Sequence, residues 1–143
     1  MTSEMGQQQT EFHRPSVQFR RVADRRPKDI SRGRGREIPL FTPADGSELD
    51  VHLIELDPAG PPGHYHLHTA TDNIYLLLEG TIEVRHDGGI ERLEAGDAVR
   101  FPPGAAHGAA VVGPVRAVLL EIYAPAGPDF VHVDEPAHPA GDS

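Results

Sequence analysis

The chain has 143 residues, a formal net charge of −9 and no cysteine, which excludes disulfide frameworks, thiolate zinc sites and cysteine nucleophiles. This length predicts a single domain. No apolar run approaches the length of a bilayer span and the polar N-terminus is unlike a signal peptide, so we expect no membrane partner and a cytoplasmic location. Fourteen prolines and 15 glycines favour short strands joined by tight corners.

The charge is distributed unevenly along the chain. Residues 1–36 carry a formal charge of +5, whereas the remainder carries −14. An arginine-rich arm can contact nucleic acid, or it can pack over an acidic surface of its own domain or of a partner subunit. We favour packing, because the acidic body would repel a phosphate backbone. The predicted organisation is a basic arm over 1–36, a β domain over 37–133 and a disordered acidic tail over 134–143.

The pattern beyond the arm predicts strands throughout, with no apolar repeat of helical spacing. They are predicted around residues 49–54, 74–78, 81–85, 90–93, 98–101, 115–123 and 130–133. Turn signals such as Asp87-Gly88-Gly89 separate them. Many short strands at close spacing predict a β-sandwich or barrel.

Histidines dominate the segment between the first two of these strands. His64, His66 and His68 occupy alternate positions, and alternate side chains of an extended strand leave the same face. His107 follows the corner Pro102-Pro103-Gly104, which can deliver a further imidazole into the same cavity. Neutral imidazole is the commonest protein ligand of transition metals, so the pattern predicts a metal site.

Two motifs give the chain a family resemblance. The first is a glycine, H-x-H and glycine pattern at Gly60, His66, His68 and Gly80, and it resembles the first cupin motif. The second is similar to the second cupin motif and comprises Gly96, Pro102, Gly104 and His107. The resemblance implies an all-β cupin fold, a jelly-roll type sandwich or barrel with an N-terminal extension, in which His66, His68 and His107 bind a metal.

The sequence departs from the first motif at one ligand position. Asn73 stands where the motif has a glutamate, and an amide oxygen is a poor transition-metal ligand. His64, in phase with His66 and His68, is the leading candidate for the fourth ligand. His52, Asp72, Asn73 itself and water are the alternatives. A wholly imidazole site favours Zn, with Fe(II) or Ni(II) as alternatives.

The wall of the predicted cavity is mostly apolar. The residues expected to face inward are Leu53, Ile74, Leu76, Leu78, Phe101, Val118 and Leu120, with Tyr65, Tyr75 and Tyr123 as polar tips. Such a pocket suits a hydrophobic small-molecule substrate with a carbonyl group.

Within the cupins, the chain resembles the monocupin cyclases of aromatic polyketide pathways in actinomycetes, which act in antibiotic biosynthesis. That resemblance implies a metal-dependent enzyme promoting aldol-type ring closure of a poly-β-keto chain, with His64 or His52 as catalytic base. We also expect a homodimer. The alternatives are a cupin dioxygenase with a three-histidine ferrous site, and a non-enzymatic small-molecule-binding cupin whose arm contacts nucleic acid.

Overall fold

Two antiparallel sheets account for the fold in the computed structural model, which describes residues 14–137. The six-stranded sheet has the order β1-β2-β3-β10-β5-β8. Its strands are β1 (Lys28–Ile30), β2 (Gly35–Phe41), β3 (Asp50–Leu56), β5 (Asp72–Glu79), β8 (Ala98–Phe101) and β10 (Ala117–Ala124). The five-stranded sheet has the order β11-β4-β9-β6-β7. Its strands are β4 (His66–Leu67), β6 (Thr81–His86), β7 (Gly89–Glu94), β9 (His107–Val111) and β11 (Val131–His132).

The remaining regular structure is three single 3-10 turns, at Val22–Asp24, Ser31–Gly33 and Pro43–Asp45. Among the residues described, no helix is long and apolar enough to cross a membrane. The predicted all-β class is therefore confirmed. The strands β1, β2 and β9 were not predicted. The first two lie in or next to the predicted basic arm, and the alanines and glycine of β9 carry little strand signal.

The N-terminal region is integrated into the larger sheet. β1 and β2 pair with each other, and β2 pairs along β3 from Gly35↔Leu56 to Phe41↔Val51. The end of the predicted arm thus supplies β1 and the first two residues of β2. Most of the predicted acidic tail lies outside the described residues. Within its described part, Glu135 Oε2 accepts a hydrogen bond from Arg85 Nε at 2.7 Å.

The core lies between the two sheets, on a face of the larger sheet opposite to the one expected. The buried cluster includes Ile54, Leu77, Leu119 and Tyr75. The residues expected to face inward but found on the other face of these strands are Leu53, Ile74, Leu76, Leu78 and Leu120. Val118 is buried, although it is not part of the central cluster. Phe101, Tyr75 and Tyr123 are buried inward as predicted. A one-residue shift of phase moves every side chain of a strand to its other face.

Candidate metal centre

Three imidazoles meet between the sheets. One ring nitrogen from each of His66, His68 and His107 lies within 4.8 Å of the other two. His66 on β4 is the cross-strand partner of His107 on β9, and His68 directly follows the two-residue strand β4. His68 and His107 are buried, and His66 is half-buried. Strand pairing therefore brings together residues that are about forty positions apart in the chain.

Hydrogen bonds fix the orientation and tautomer of all three rings. His66 Nδ1 lies 2.7 Å from the His64 carbonyl oxygen, and His68 Nδ1 lies 2.6 Å from that of Asp129. His107 Nδ1 lies 3.0 Å from the Ala105 carbonyl oxygen. Because a carbonyl oxygen only accepts, each Nδ1 must carry the proton. Each Nε2 is therefore left with a free lone pair, as in metal sites whose histidines are held through their other ring nitrogen.

The unpartnered nitrogens fit a bound metal. His68 Nε2 and His107 Nε2 are buried and have no hydrogen-bond partner among the described residues. Leaving such polar atoms unsatisfied costs about 1–3 kcal/mol each. A metal ion that prefers nitrogen ligands, bound between these atoms, would remove that cost. The donor set of His66, His68 and His107 is thus suited to a transition metal, with positions left open for water or substrate.

The surroundings of His66 and His107 favour the neutral form of both imidazoles. Burial lowers the pKa of His107 to about 4, and the hydrogen bond to Ala105 only partly opposes it. Burial also lowers the pKa of His66, with the proximity of His68 contributing in the same direction. At neutral pH both rings are therefore available as ligands without first losing a proton.

Aromatic rings pack closely around the histidines. The Phe101 ring stacks on His107 with centroids 3.7 Å apart and planes 7° from parallel. Tyr123 contacts His68 edge-on at 5.2 Å, and the exposed Phe130 contacts the same ring at 4.8 Å. Phe130 and its neighbour Asp129 thus cover one side of the site. Sequence reasoning placed Phe130 in a terminal strand and did not assign it to the site.

His64 is not part of the group. Its side chain is exposed and its ring lies 5.0 Å from that of His132. The charge of Arg32 is the main cause that lowers the pKa of His64. The segment leading into β4 is not a regular strand, so alternate side chains do not share one face. His64 contributes its carbonyl oxygen to orient His66, and the expected fourth imidazole is absent from the described group.

The other fourth-ligand candidates also make different contacts. Asp72 accepts a hydrogen bond from Arg100 Nε at 2.8 Å, on the opposite face of β5 from Asn73. Asn73 is fully buried, and its Nδ2 donates to Glu121 Oε2 at 3.0 Å and to the Ile122 carbonyl oxygen at 3.2 Å. Its Oδ1 has no partner among the described residues.

A buried carboxylate that was not predicted from the sequence lies on the neighbouring strand β10. Glu121 on β10 is 6% exposed, and its Oε1 lies 2.8 Å from His52 Nε2. Burial would lower the pKa of His52, but the hydrogen bond and charge of Glu121 outweigh it and raise that pKa. Burial, followed by the charge of Glu121, raises the pKa of Tyr75 and Tyr123. The sequence signal that could have identified Glu121 is its position as the one acid in an otherwise apolar strand.

A cavity of about 190 Å³ lies beside the histidines and opens to the surface. Its polar wall comprises Arg34, Glu37, His66, Tyr75, Glu121 and Tyr123, and its apolar wall comprises Ile30, Ile54, Leu56, Ala109, Leu119 and Phe130. The lining is therefore more charged than the sequence suggested. His52 does not line it and lies behind Glu121, next to a second depression with Glu37 and Tyr123.

Comparison with protein families gives a match to the cupin domain over residues 52–123, which is half of the chain. The chain belongs to the cupin family. Its two sheets are the cupin jelly roll, and the three grouped histidines occupy the positions at which the cupin motifs place metal ligands. No curated protein sequence matches this cupin significantly.

Solved cupin structures share the fold. The polyketide cyclase RemF from Streptomyces resistomycificus matches with a TM-score of 0.71 and 20% identity, covering 85% of this chain and 88% of RemF. KdgF from a Halomonas species matches with a TM-score of 0.68 and 22% identity, covering 78% of this chain and 96% of KdgF. An RmlC-like cupin from Shewanella frigidimarina is 29% identical with a TM-score of 0.65, covering 78% of this chain and 93% of that protein.

Proposed function

We propose that this cupin is a metal-dependent polyketide cyclase that promotes aldol-type ring closure of a poly-β-keto chain, with zinc at its centre. The observation that carries the proposal is the meeting of three imidazoles, with buried and unpartnered Nε2 atoms on His68 and His107, beside a cavity that holds a buried carboxylate. RemF supports the proposal only through its fold, because its sequence identity is low.

The bound metal would supply Lewis-acid chemistry, polarising a ketone oxygen and so acidifying the adjacent carbon. Ring closure then needs a base in the cavity to accept the proton. Glu121 lines the cavity, whereas the two bases expected from the sequence do not. We therefore assign proton acceptance to the Glu121 carboxylate, with the His52 ring holding one of its oxygens.

The cavity limits how much of a substrate can be enclosed. At about 190 Å³ it is smaller than typical pockets for drug-sized ligands. It can hold the reacting segment of a poly-β-keto chain, while the remainder extends through the open side past the exposed Phe130. The apolar walls formed by Ile54, Leu56 and Leu119 exclude water from that segment.

The test measures metal content and ring formation in the same preparations. With zinc-loaded protein and a synthetic linear triketone, we expect the cyclised phenol to form faster than in buffer. His66→Ala and His107→Ala should lose bound zinc and slow product formation by at least about a hundredfold. His64→Ala is the matched control, because this exposed imidazole lies outside the group and the substitution keeps the carbonyl oxygen that accepts from His66.

Two outcomes would contradict the proposal. The first is full ring formation by His107→Ala after its zinc is lost. The second is oxygen consumption by the iron-loaded protein with no ring formation by the zinc-loaded protein, which would favour the oxygenase.

A further inference from the structure

Arg34 is held rigidly at the edge of the cavity. Its Nε donates to the Pro61 carbonyl oxygen at 3.3 Å, and its carbonyl oxygen accepts from the Asp57 amide at 2.9 Å. The loop carrying these groups passes so close that a Cβ at Gly60 would lie 2.9 Å from Arg34 Cα. A Cβ at Gly63 would lie 2.9 Å from Arg34 Nη2. The loop therefore fixes both ends of the side chain.

The guanidinium group of Arg34 lacks the carboxylate partner that other arginines of this chain have. Arg20, Arg36 and Arg85 each lie within 2.8 Å of a carboxylate oxygen. Arg34 is half-buried, yet no carboxylate lies within 4.0 Å of it among the described residues, and its Nη atoms make no hydrogen bond there. Burial lowers its pKa, and the nearby Tyr75 and Glu121 only partly oppose that effect.

The two carboxylates in the cavity wall are already engaged. Glu121 is bound by His52 and Asn73. Glu37 forms an ion pair with Lys28 at 3.2 Å. Within residues 14–137 the protein therefore offers no free anion to the Arg34 guanidinium, although that group lines the same cavity as His66 and Glu121. A half-buried cation without an anionic partner in the described chain favours an anion from outside.

We propose that Arg34 is a substrate-binding residue that recognises a carboxylate, so that the substrates of this cupin are keto acids. Resting on the proposed function, this places the carboxylate at Arg34, the ketone at the histidine group, and the apolar segment between them against Ile54, Leu56 and Leu119. A planar guanidinium matches the two oxygens of a carboxylate. A doubly charged phosphate would be repelled by Glu37 and Glu121, which favours the singly charged group.

Calorimetric titration of the full-length zinc-loaded protein tests this assignment without turnover. The probes are 4-oxo-4-phenylbutanoate and its methyl ester, which differ by the anionic charge. We expect the acid to bind about ten to a hundred times more tightly than the ester. Arg34→Gln should abolish the preference, and Arg34→Lys should keep part of it.

Arg36→Gln is the matched control. Arg36 lies two residues after Arg34, on β2, and its exposed side chain pairs with Glu55, so its loss should leave the preference intact. Equal binding of acid and ester by the unmodified protein, binding of neither at millimolar concentration, or a preference that survives in Arg34→Gln would overturn the assignment.

The two proposals fail separately. His107→Ala should lose zinc and ring formation but retain the preference for the acid. If ring formation depends on zinc but the acid binds no more tightly than its ester, only the role of Arg34 is contradicted. If the acid binds more tightly than its ester but zinc has no effect on ring formation, only the proposed cyclase function is contradicted.

Discussion

At the residue scale, Asn73 and Glu121 explain how this cupin differs from the motif it carries. The motif glutamate is replaced by an uncharged amide on β5, and the adjacent strand β10 supplies a buried carboxylate. Asn73 Nδ2 donates to that carboxylate, so the amide orients it instead of competing with it for a metal. The negative charge is thus kept near the histidines without occupying a position in their group.

Asn73→Asp tests this pairing. The change would put two carboxylates about as close as the present 3.0 Å contact, where they repel each other unless one of them takes up a proton. We expect the free energy of unfolding, measured by urea denaturation, to fall by roughly 2–4 kcal/mol. In the double variant Asn73→Asp with Glu121→Gln, an amide again faces a carboxylate, and most of the loss should be recovered. Equal losses in the single and double variants would show that the pair does not interact.

At the element scale, the motif glycines have separable steric roles. Gly80, between β5 and β6, has φ +80, and a Cβ there would lie 2.6 Å from the Arg116 carbonyl oxygen. Gly96 has a similarly positive φ of +97, but a Cβ at that position would have no neighbour within 4 Å among the described residues. The hairpin glycine is therefore required for close approach of backbone as well as for its conformation.

Gly80→Ala and Gly96→Ala separate these two effects. The left-handed conformation alone costs about 1–2 kcal/mol for a non-glycine residue, so Gly96→Ala should lose that amount in urea denaturation. Gly80→Ala should lose at least about 1 kcal/mol more, because its contact is with backbone that cannot rotate away. Similar losses at both positions would contradict the steric role of Gly80.

At the scale of the whole molecule, the basic N-terminal region packs against the acidic domain that follows it. Arg20 pairs with Asp45 at 2.8 Å, and Lys28 pairs with Glu37 at 3.2 Å. Such partly exposed pairs contribute only about 0–1 kcal/mol each. The backbone pairing of β2 with β3 is the more substantial connection, and it carries Arg34 to the cavity.

Metal binding should stabilise the molecule as a whole, because the three histidines join parts of the chain that are far apart. Zinc at a hundred times its Kd adds about 2.7 kcal/mol, which for a domain of this size raises Tm by roughly 5–10 °C. Calorimetric melting should show this increase for the unmodified protein and for His64→Ala, whose exposed imidazole lies outside the group, and chelation should reverse it. His107→Ala should show none, and an equal increase in that variant would place the zinc elsewhere.

The sequence by itself determined the fold class, the strand-rich domain and the grouping of His66, His68 and His107, because glycine and proline corners and motif spacing are local signals. Only the tertiary structure decided which face of each strand is inside. Strands such as Ile74-Tyr75-Leu76-Leu77-Leu78 are apolar on both faces, so their phase has to be inferred from isolated polar residues. Those residues, His52 and Glu121, point inward, because Glu121 lines the cavity and His52 holds its carboxylate. Polar residues were expected to face solvent, so the predicted phase of these strands was inverted. The roles of Glu121 and Arg34 depend on strand pairing and loop packing between distant segments, which no local pattern records.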